Sequence, residues 1–534
     1  MSTFSTSSIV LNDVGFIWPA GDVALSGITG TISSRRTGLV GANGSGKSTL
    51  LRMIAGELVP TSGSITVTGD VAYLSQSVPL QVHSTVAELL GVADKLAALR
   101  SIVAGDASEA HFETLTDDWD VESRAEDALR EIGLDAGHLD RRLDDVSGGE
   151  AMLVAVAGLR LSRRPITLLD EPSNNLDRRA RGRLAELITR WPGTLVMVSH
   201  DTELLELMDA TADIHESRLS VFGGPYSAWH EWLQVQQNAA VQSARAAEQA
   251  VKKQKRERVE AETKLARRAR TAKTSRHNRV GSRLDMNQRI SDAQVSAGKL
   301  RAGSEGQLHS SQARLDEAES HIRDVESISI DLPDPDVPTT RRIAELHGAN
   351  RSYVLQGPER IAITGPNGSG KTSLLESLID ERAAQSHHAS GVLLTSRVGY
   401  LPQRLVDLND ETTVLDALRS AAPSTPVGEL RNRLARFLIR GAMVDRAVQT
   451  LSGGERFRVA LARLLLADPP PQLMILDEPT NNLDTVSVDH LVEALSTYRG
   501  ALIVVSHDDA FLRRLGLTTV IELGPSGTFT DRAI

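Results

Sequence analysis

Two glycine-rich stretches share one spacing: Gly41-Ala42-Asn43-Gly44-Ser45-Gly46-Lys47-Ser48 and Gly365-Pro366-Asn367-Gly368-Ser369-Gly370-Lys371-Thr372. In that spacing the glycines open backbone N–H groups to phosphate oxygens, the lysine reaches the outer phosphates and the hydroxyl holds Mg²⁺. Such a loop joins a strand to a helix, so two of them call for two α/β nucleotide-binding domains. The 534 residues are long for one core and sufficient for two domains of about 200 residues with a connector.

Further elements recur in the same order after each loop. Tyr73-Leu74-Ser75-Gln76 matches Tyr400-Leu401-Pro402-Gln403, and Ser147-Gly148-Gly149-Glu150 matches Ser452-Gly453-Gly454-Glu455. Leu168 to Asp177 (Leu-Leu-Asp-Glu-Pro-Ser-Asn-Asn-Leu-Asp) matches Ile475 to Asp484, and Ser199-His200-Asp201 matches Ser506-His507-Asp508. The halves differ in one interval: Gln76 to Ser147 spans 71 positions and Gln403 to Ser452 only 49. The first half therefore carries about 22 extra residues within Leu90 to Val121.

Apolar runs at Ile166–Leu169 and Leu473–Leu476 read as buried parallel strands, each delivering a carboxylate at its C-terminal end, where open α/β sheets place ligands. Asp170 and Asp477 are candidates to organise Mg²⁺, and Glu171 and Glu478 to polarise the attacking water. His200 and His507, each following an apolar strand run, are placed to sense the γ-phosphate.

This ordered set resembles the ATP-binding-cassette family, with two cassettes in one chain. The resemblance implies a fold of two P-loop ATPase domains, ATP and Mg²⁺ as cofactors, and ATP hydrolysis as the activity. It makes the loops Walker A, with Thr49 and Ser373 following them, and Gln76 and Gln403 the Q-loops that join Ser48, Asp170, Thr372 and Asp477 around the metal. Ser147 to Glu150 and Ser452 to Glu455 become the signatures, each expected to close over the opposite Walker A in a head-to-tail pair. Trp18, in Gly15-Phe16-Ile17-Trp18-Pro19, stands where cassettes place the aromatic that stacks on adenine. The second half offers only His347 and Tyr353 in its place, and Ala151-Met152-Leu153 follows the first signature where Arg456-Phe457-Arg458 follows the second.

Net charge is −10, which argues against a nucleic-acid partner only if evenly spread. Lys252 to Arg301 holds 16 Lys or Arg against 5 Asp or Glu, a local +11 that leaves −21 on the rest. Tyr226 to Val280 contains neither Gly nor Pro, and at 1.5 Å per residue roughly 50 helical residues make a rod of about 75 Å. A second helix is expected over Glu305 to Ser327, with Leu308, Leu315 and Ile322 at seven-residue steps and Ala318 and Val325 between them. The two helices read as an antiparallel hairpin whose tip, Arg283 to Gly303, holds Leu284, Met286, Ile290, Val295 and Leu300. Lys252, Lys253, Lys255, Arg256, Arg258, Lys264, Arg267, Arg268, Arg270, Lys273, Arg276 and Arg279 suit contact with a phosphate backbone. Aromatic residues for base stacking are scarce there, which favours structured RNA over single strands.

Two cassettes joined by a long basic helical linker resemble the F subfamily, the ribosome-binding translation factors; Phe222 to Trp229 is similar to the passage that leads into their linker. The resemblance implies domains at 1–232 (with an arm-like insertion at about 90–121), 233–327 and 328–534. It implies a monomer whose cassettes pair within the chain, binding the ribosome (ribosomal RNA and tRNA) near the tRNA exit region in its ATP state and acting on the peptidyl-transferase centre. A short arm with an extended tip is more like the antibiotic-resistance members than the housekeeping ones. The alternative classes are the motor of a membrane exporter and a DNA-maintenance ATPase. Met1 to Val10 lacks the basic and apolar pattern of a leader, and no stretch supplies the ~20 apolar residues of a membrane helix, so a soluble cytoplasmic protein is expected. The absence of cysteine excludes disulfides and Cys-based zinc sites.

Overall fold

The computed structural model describes residues 7–19, 21–76, 84–106, 108–174, 176–275, 305–319, 332–380, 388–403, 408, 410–451, 453–481 and 483–532, without the side chains of 265 and 268–275. The chain divides into two compact units: Met1–Tyr226 together with Glu326–Ile534, and Ser227–Val325.

Within the first unit each half builds the same pair of sheets. In the first half a six-stranded sheet runs Val71–Leu74, Ile166–Asp170, Thr194–Val198, Arg36–Val40, Ala210–His215, Arg218–Phe222, parallel except for the last strand. Its central strands are mostly apolar, and every residue of Ile166–Asp170 and Thr194–Val198 is buried, as parallel strands covered on both faces must be. An antiparallel sheet, with Ile9–Ile17 between Val23–Ile32 and Ser62–Val67, packs against helix Lys47–Ile54. Ile9, Leu11, Ile28, Leu50, Leu51 and Val196 are fully buried in their common core.

The second half repeats this with Val398–Leu401, Leu473–Asp477, Ala501–Val505, Arg360–Thr364, Thr519–Leu523 and Phe529–Asp531. Its small sheet places Arg342–His347 between Ser352–Gln356 and Ser390–Leu393. Val71 pairs with Ile166 and Val398 with Leu473, so equal registers carry Asp170 and Asp477 to equal places.

Between helix Val86–Leu89 and helix Val121–Glu131 the first half has two helices, Ala93–Val103 and Glu109–Leu115. The second half passes from helix Val414–Ala421 to helix Val427–Arg436 in a short turn. Lys95 Nζ lies 2.8 Å from Asp118, and Arg100 joins Glu122 and Asp140, which ties the extra helices down. Val103, Phe112 and Trp119 remain exposed.

The other unit contains nearly all of helix Tyr226–Ser275, 50 residues long, and a helix over 305–319. Ala244, Val251, Leu315 and Ala318 are buried while the flanking positions are mostly exposed, the stripe expected of a helix pair. The Arg258 guanidinium lies close enough to Glu305 for their charges to interact. Arg276, Arg279, the tip Arg283 to Gly303 with its apolar residues, and Ile322 and Val325 lie outside the described residues.

Candidate nucleotide sites

Both phosphate loops take the same backbone path. Gly41, Gly44 and Gly46 have φ of 149°, 82° and 89°, and Gly365, Gly368 and Gly370 have 145°, 77° and 92°. A Cβ at Gly41 would stand 2.7 Å from the Ile214 carbonyl oxygen, so the first glycine is required by the closeness of the next strand as well as by its φ. Gly46 and Gly370 then open helices Lys47–Ile54 and Lys371–Ile379, whose free N–H groups suit an anion. The lysines fold back over their own loops: Lys47 Nζ donates to the Gly41 and Ala42 carbonyls at 2.8 and 3.0 Å, and Lys371 Nζ to those of Gly365 and Pro366 at 2.9 Å each. Burial lowers the pKa of both, against the pull of Glu171 on Lys47 and of Glu478 on Lys371.

The strand ends supply the carboxylates. Ser48 Oγ donates to Asp170 at 3.1 Å, and Tyr73 donates to the other oxygen at 3.3 Å. Thr372 stands correspondingly beside Asp477. One residue on, Glu171 and Glu478 occupy the left-handed region at φ 51° and 46°, an unfavourable conformation for glutamate that recurs in both halves. His200 Nε2 lies 3.1 Å from Glu171, and His507 Nε2 lies 3.3 Å from Glu478. Burial pushes both glutamates up to about 7 and the histidines down, to about 4 for His200 and about 3 for His507. At neutral pH the imidazoles are therefore uncharged, so each glutamate can act as a proton acceptor rather than one arm of an ion pair.

A cavity of about 620 Å³ adjoins the first loop, lined by Trp18, Lys47, Ser48, Gln76, Glu171 and His200 among others. Trp18 is half-buried there, with its ring edge-to-face on Phe16 at 5.0 Å. In the second half Tyr353 packs against the sheet core with its hydroxyl donating to Glu359, and the half-exposed His347 bonds Ser352. Gln403 lies two residues past strand Val398–Leu401. Among the described residues, buried Ser45 Oγ and Ser369 Oγ have no hydrogen-bond partner, and the carboxylates of Asp477, Glu171 and Glu478 keep acceptor capacity beyond their contacts with Thr372, His200 and His507. Unpartnered hydroxyls beside carboxylates with spare acceptor capacity fit a ligand that brings phosphate and a hard cation together.

The halves meet at these sites. Asn43 N donates to Asp484 Oδ2 at 2.7 Å, and Asn367 N donates to Asp177 Oδ2 at 3.2 Å. The remaining oxygen of each aspartate caps its own helix, Asp177 through Ala180 N and Asp484 through Ser487 N. Burial pushes both carboxyl pKa values up, and hydrogen bonds outweigh it to leave both lowered, led by the Ser487 side chain at Asp484 and by the Ala180 and Asn367 N–H groups at Asp177. Ion pairs Arg178–Asp509 and Arg513–Glu203 flank the contact. The aspartates are thus the residues that reach the opposite loop. Ser147 and Glu150 instead close a capping box on helix Gly148–Leu161, while Gly453, Gly454 and Glu455 open helix Gly453–Leu465 and do not line the first cavity. Ser452 lies outside the described residues.

One residue of the junction escaped the sequence reading. Arg181, one turn beyond Asp177, donates to the Leu176 carbonyl at 3.2 Å, lies 3.6 Å from Asp201, and acts electrostatically on Glu478 and His507 of the other half. The matching position after Asp484 is Val488. A charge present in only one of two aligned repeats was the available signal.

The ABC transporter family profile matches residues 25–174 and 349–481. The tylosin resistance ATP-binding protein TlrC of Streptomyces fradiae is 32% identical over 542 residues, covering 91% of this chain and 92% of that protein. ATP-binding cassette sub-family F member 3 of Rattus norvegicus is 29% identical over 504 residues, covering 90% of this chain and 66% of that one. Among solved structures, the archaeal ribosome recycling factor aABCE1, in complex with stalk protein aP1, shares the fold with a TM-score of 0.56 at 20% identity, over 97% of this chain and 89% of that one. With its duplicated loops, paired Asp-Glu strand ends and crossed aspartates, the chain belongs to the F subfamily of the ATP-binding-cassette family and is an ATP hydrolase.

Proposed function

We propose that the protein is a cytoplasmic monomer that binds the ribosome in its ATP state, near the tRNA exit region, and acts through its linker on the peptidyl-transferase centre to protect it against an antibiotic. The observation that carries this reading is the long basic helix Tyr226–Ser275, strung between two ATPase halves that contact each other within one chain. A rod of that length and sign suits a phosphate-rich RNA surface. The likeness to TlrC over nearly its whole length, with tylosin resistance in that protein's name, supports the protective role over a housekeeping one. Among the described residues no helix is long and apolar enough to cross a membrane.

In this proposal Ser48, Gln76 and Asp170 would hold Mg²⁺ at one site and Thr372, Gln403 and Asp477 at the other, where the ion would supply charge neutralisation for the phosphates. Glu171 and Glu478 accept a proton from the attacking water, and His200 and His507 hold the glutamates and meet the γ-phosphate. Trp18 packs on adenine at the first site. The signatures close over the opposite loops once ATP is bound, the linker is residues 233–327, and the arm is the helical pair within about 90–121. ATP joins the halves and hydrolysis frees them.

Pelleting with ribosomes tests this. The Glu171→Gln, Glu478→Gln variant should co-sediment in ATP, and replacing the basic residues from Lys252 to Arg279 by glutamine should release it. Sedimentation indifferent to those residues would sink the proposal. Loss of resistance to tylosin or another ribosome-directed drug on deletion of the protein would establish protection, and an unchanged panel would return it to the housekeeping role.

A further inference from the structure

A second, larger cavity lies on the opposite edge of the first cassette. It measures about 1240 Å³ and is lined by Arg35, Arg124, Arg160, Arg163, Arg164 and Arg190. Three neighbouring parallel strands, Ile166–Asp170, Thr194–Val198 and Arg36–Val40, begin here. Arg35 stands immediately before the last of them, Arg163 and Arg164 before the first, and Arg190 before the middle one. Because adjacent strands lie about 4.8 Å apart, this arrangement makes a row of guanidinium groups along the sheet edge remote from ATP.

Among the described residues only two carboxylates share the lining, Asp127 and Glu131, and both are engaged: Asp127 with Arg130 and Glu131 with Arg160. Arg124 pairs with Asp118 and Asp120, while Arg35 and Arg164 donate to the carbonyls of Trp191 and Val71. Arg163 and Arg190 are exposed and have no hydrogen bond or ion pair from their side chains among the described residues. Arg163 also sits at φ 48°, in the left-handed region, where a glycine or asparagine would be unstrained.

The fold itself does not ask for these charges. At matching positions of the second cassette, counted from the phosphate loop, the signature and Asp484, stand Glu359, Glu429, Leu465 and Thr497, and Leu466 to Gln472 contains no arginine. Four of the six guanidinium groups, those of Arg35, Arg163, Arg164 and Arg190, have no carboxylate partner among the described residues, and like charges so gathered cost self-repulsion unless an anion answers them. Guanidinium groups answer phosphate best, through paired N–H donors.

We propose that this arginine-lined cavity is a second RNA site, which grips phosphodiester groups of ribosomal RNA independently of the linker. It rests on the ribosome-binding reading above. The open mouth and the exposure of four of the six arginines suit a polymer crossing the edge rather than an enclosed small molecule.

Arg163→Ala with Arg190→Ala removes the two unpartnered guanidinium groups. The double variant, in the Glu171→Gln, Glu478→Gln background, should keep its thermal unfolding midpoint, bind purified ribosomes more weakly, and lower the slope of log affinity against log salt by about 1.5 to 2. Because the chain has no cysteine, Ser33→Cys places a single thiol on the cavity wall for an iron chelate, which should cleave ribosomal RNA at discrete positions. Unchanged affinity and slope, or no cleavage from that thiol, would overturn the proposal while leaving linker-dependent binding in place. Should the parent not pellet with ribosomes, the functional reading falls, and the same pair compared on protein-free ribosomal RNA still decides the cavity. Protection of the thiol by micromolar tripolyphosphate but not by ribosomal RNA would assign the cavity to a small polyphosphate and overturn the RNA assignment.

Discussion

The two catalytic centres agree where they handle phosphate and differ where each meets something else. Loop φ values match within 5° at all three glycines, both glutamates are held at positive φ, and both histidines stand just over 3 Å from them. Yet Arg181 reaches toward the second centre alone, Trp18 lines only the first, and the arginine row belongs only to the first cassette. Triphosphate and water impose the same geometry on any loop that binds them, so duplication leaves those parts alike. Partners outside the site, and the opposite half, impose nothing in common and allow divergence.

The comparison is broken most severely by neutralising the two glutamates proposed to accept the proton. Glu171→Gln with Glu478→Gln should lower steady-state ATP hydrolysis by at least about a hundredfold, measured as phosphate release. The single variants then report each centre: equal losses would mean the asymmetry is without catalytic consequence.

Removing the crossed carboxylates comes next. Asp177→Ala and Asp484→Ala each delete a charged hydrogen bond to the opposite loop and a helix cap, together about 2 to 4 kcal/mol. Each should weaken ATP-driven closure, read by small-angle scattering, and Asn replacements should recover the cap portion. An effect at Asp484 alone would show that only the first loop is gripped tightly.

A symmetric response is expected to acid. With both glutamates pushed up to about 7, the carboxylate form falls on going from pH 8 to pH 6, so kcat/KM should fall by about tenfold. A flat profile would exclude a glutamate acceptor of raised pKa at either centre.

The smallest effect sharpens the difference. Arg181→Ala, assayed with Glu171→Gln so that only the second centre turns over, should slow single-turnover hydrolysis by about fivefold, while the same change with Glu478→Gln leaves the first centre unaffected. Val488→Arg should carry the effect to the first centre.

Much of this was legible in the chain itself. The phosphate loops, the Asp-Glu strand ends and the switch histidines are short local patterns, each confined to one strand-to-loop junction. Their chemistry depends on residue type and spacing, which repetition made conspicuous. The helix beginning at Tyr226 was likewise visible, because a run without Gly or Pro has little else to form. Less legible was what bridges the halves. Asp177 and Asp484 stood in the repeated motif, but nothing local says that one oxygen caps a helix while the other crosses to a loop 190 residues on or 441 residues back. Nor does anything local say that the Tyr353 hydroxyl meets Glu359 while its ring packs against the sheet core.

Sequence alone therefore determined that this protein has two P-loop α/β halves, a basic helical connector and two matching sets of candidate site residues, because spacing and charge are properties of the chain. Tertiary structure decided which residues of one half serve the other, that Arg181 favours one centre, and that arginines scattered from position 35 to position 190 gather along one sheet edge. Those outcomes depend on strand order and on the packing of the halves, and distance along a chain says nothing of distance across a sheet.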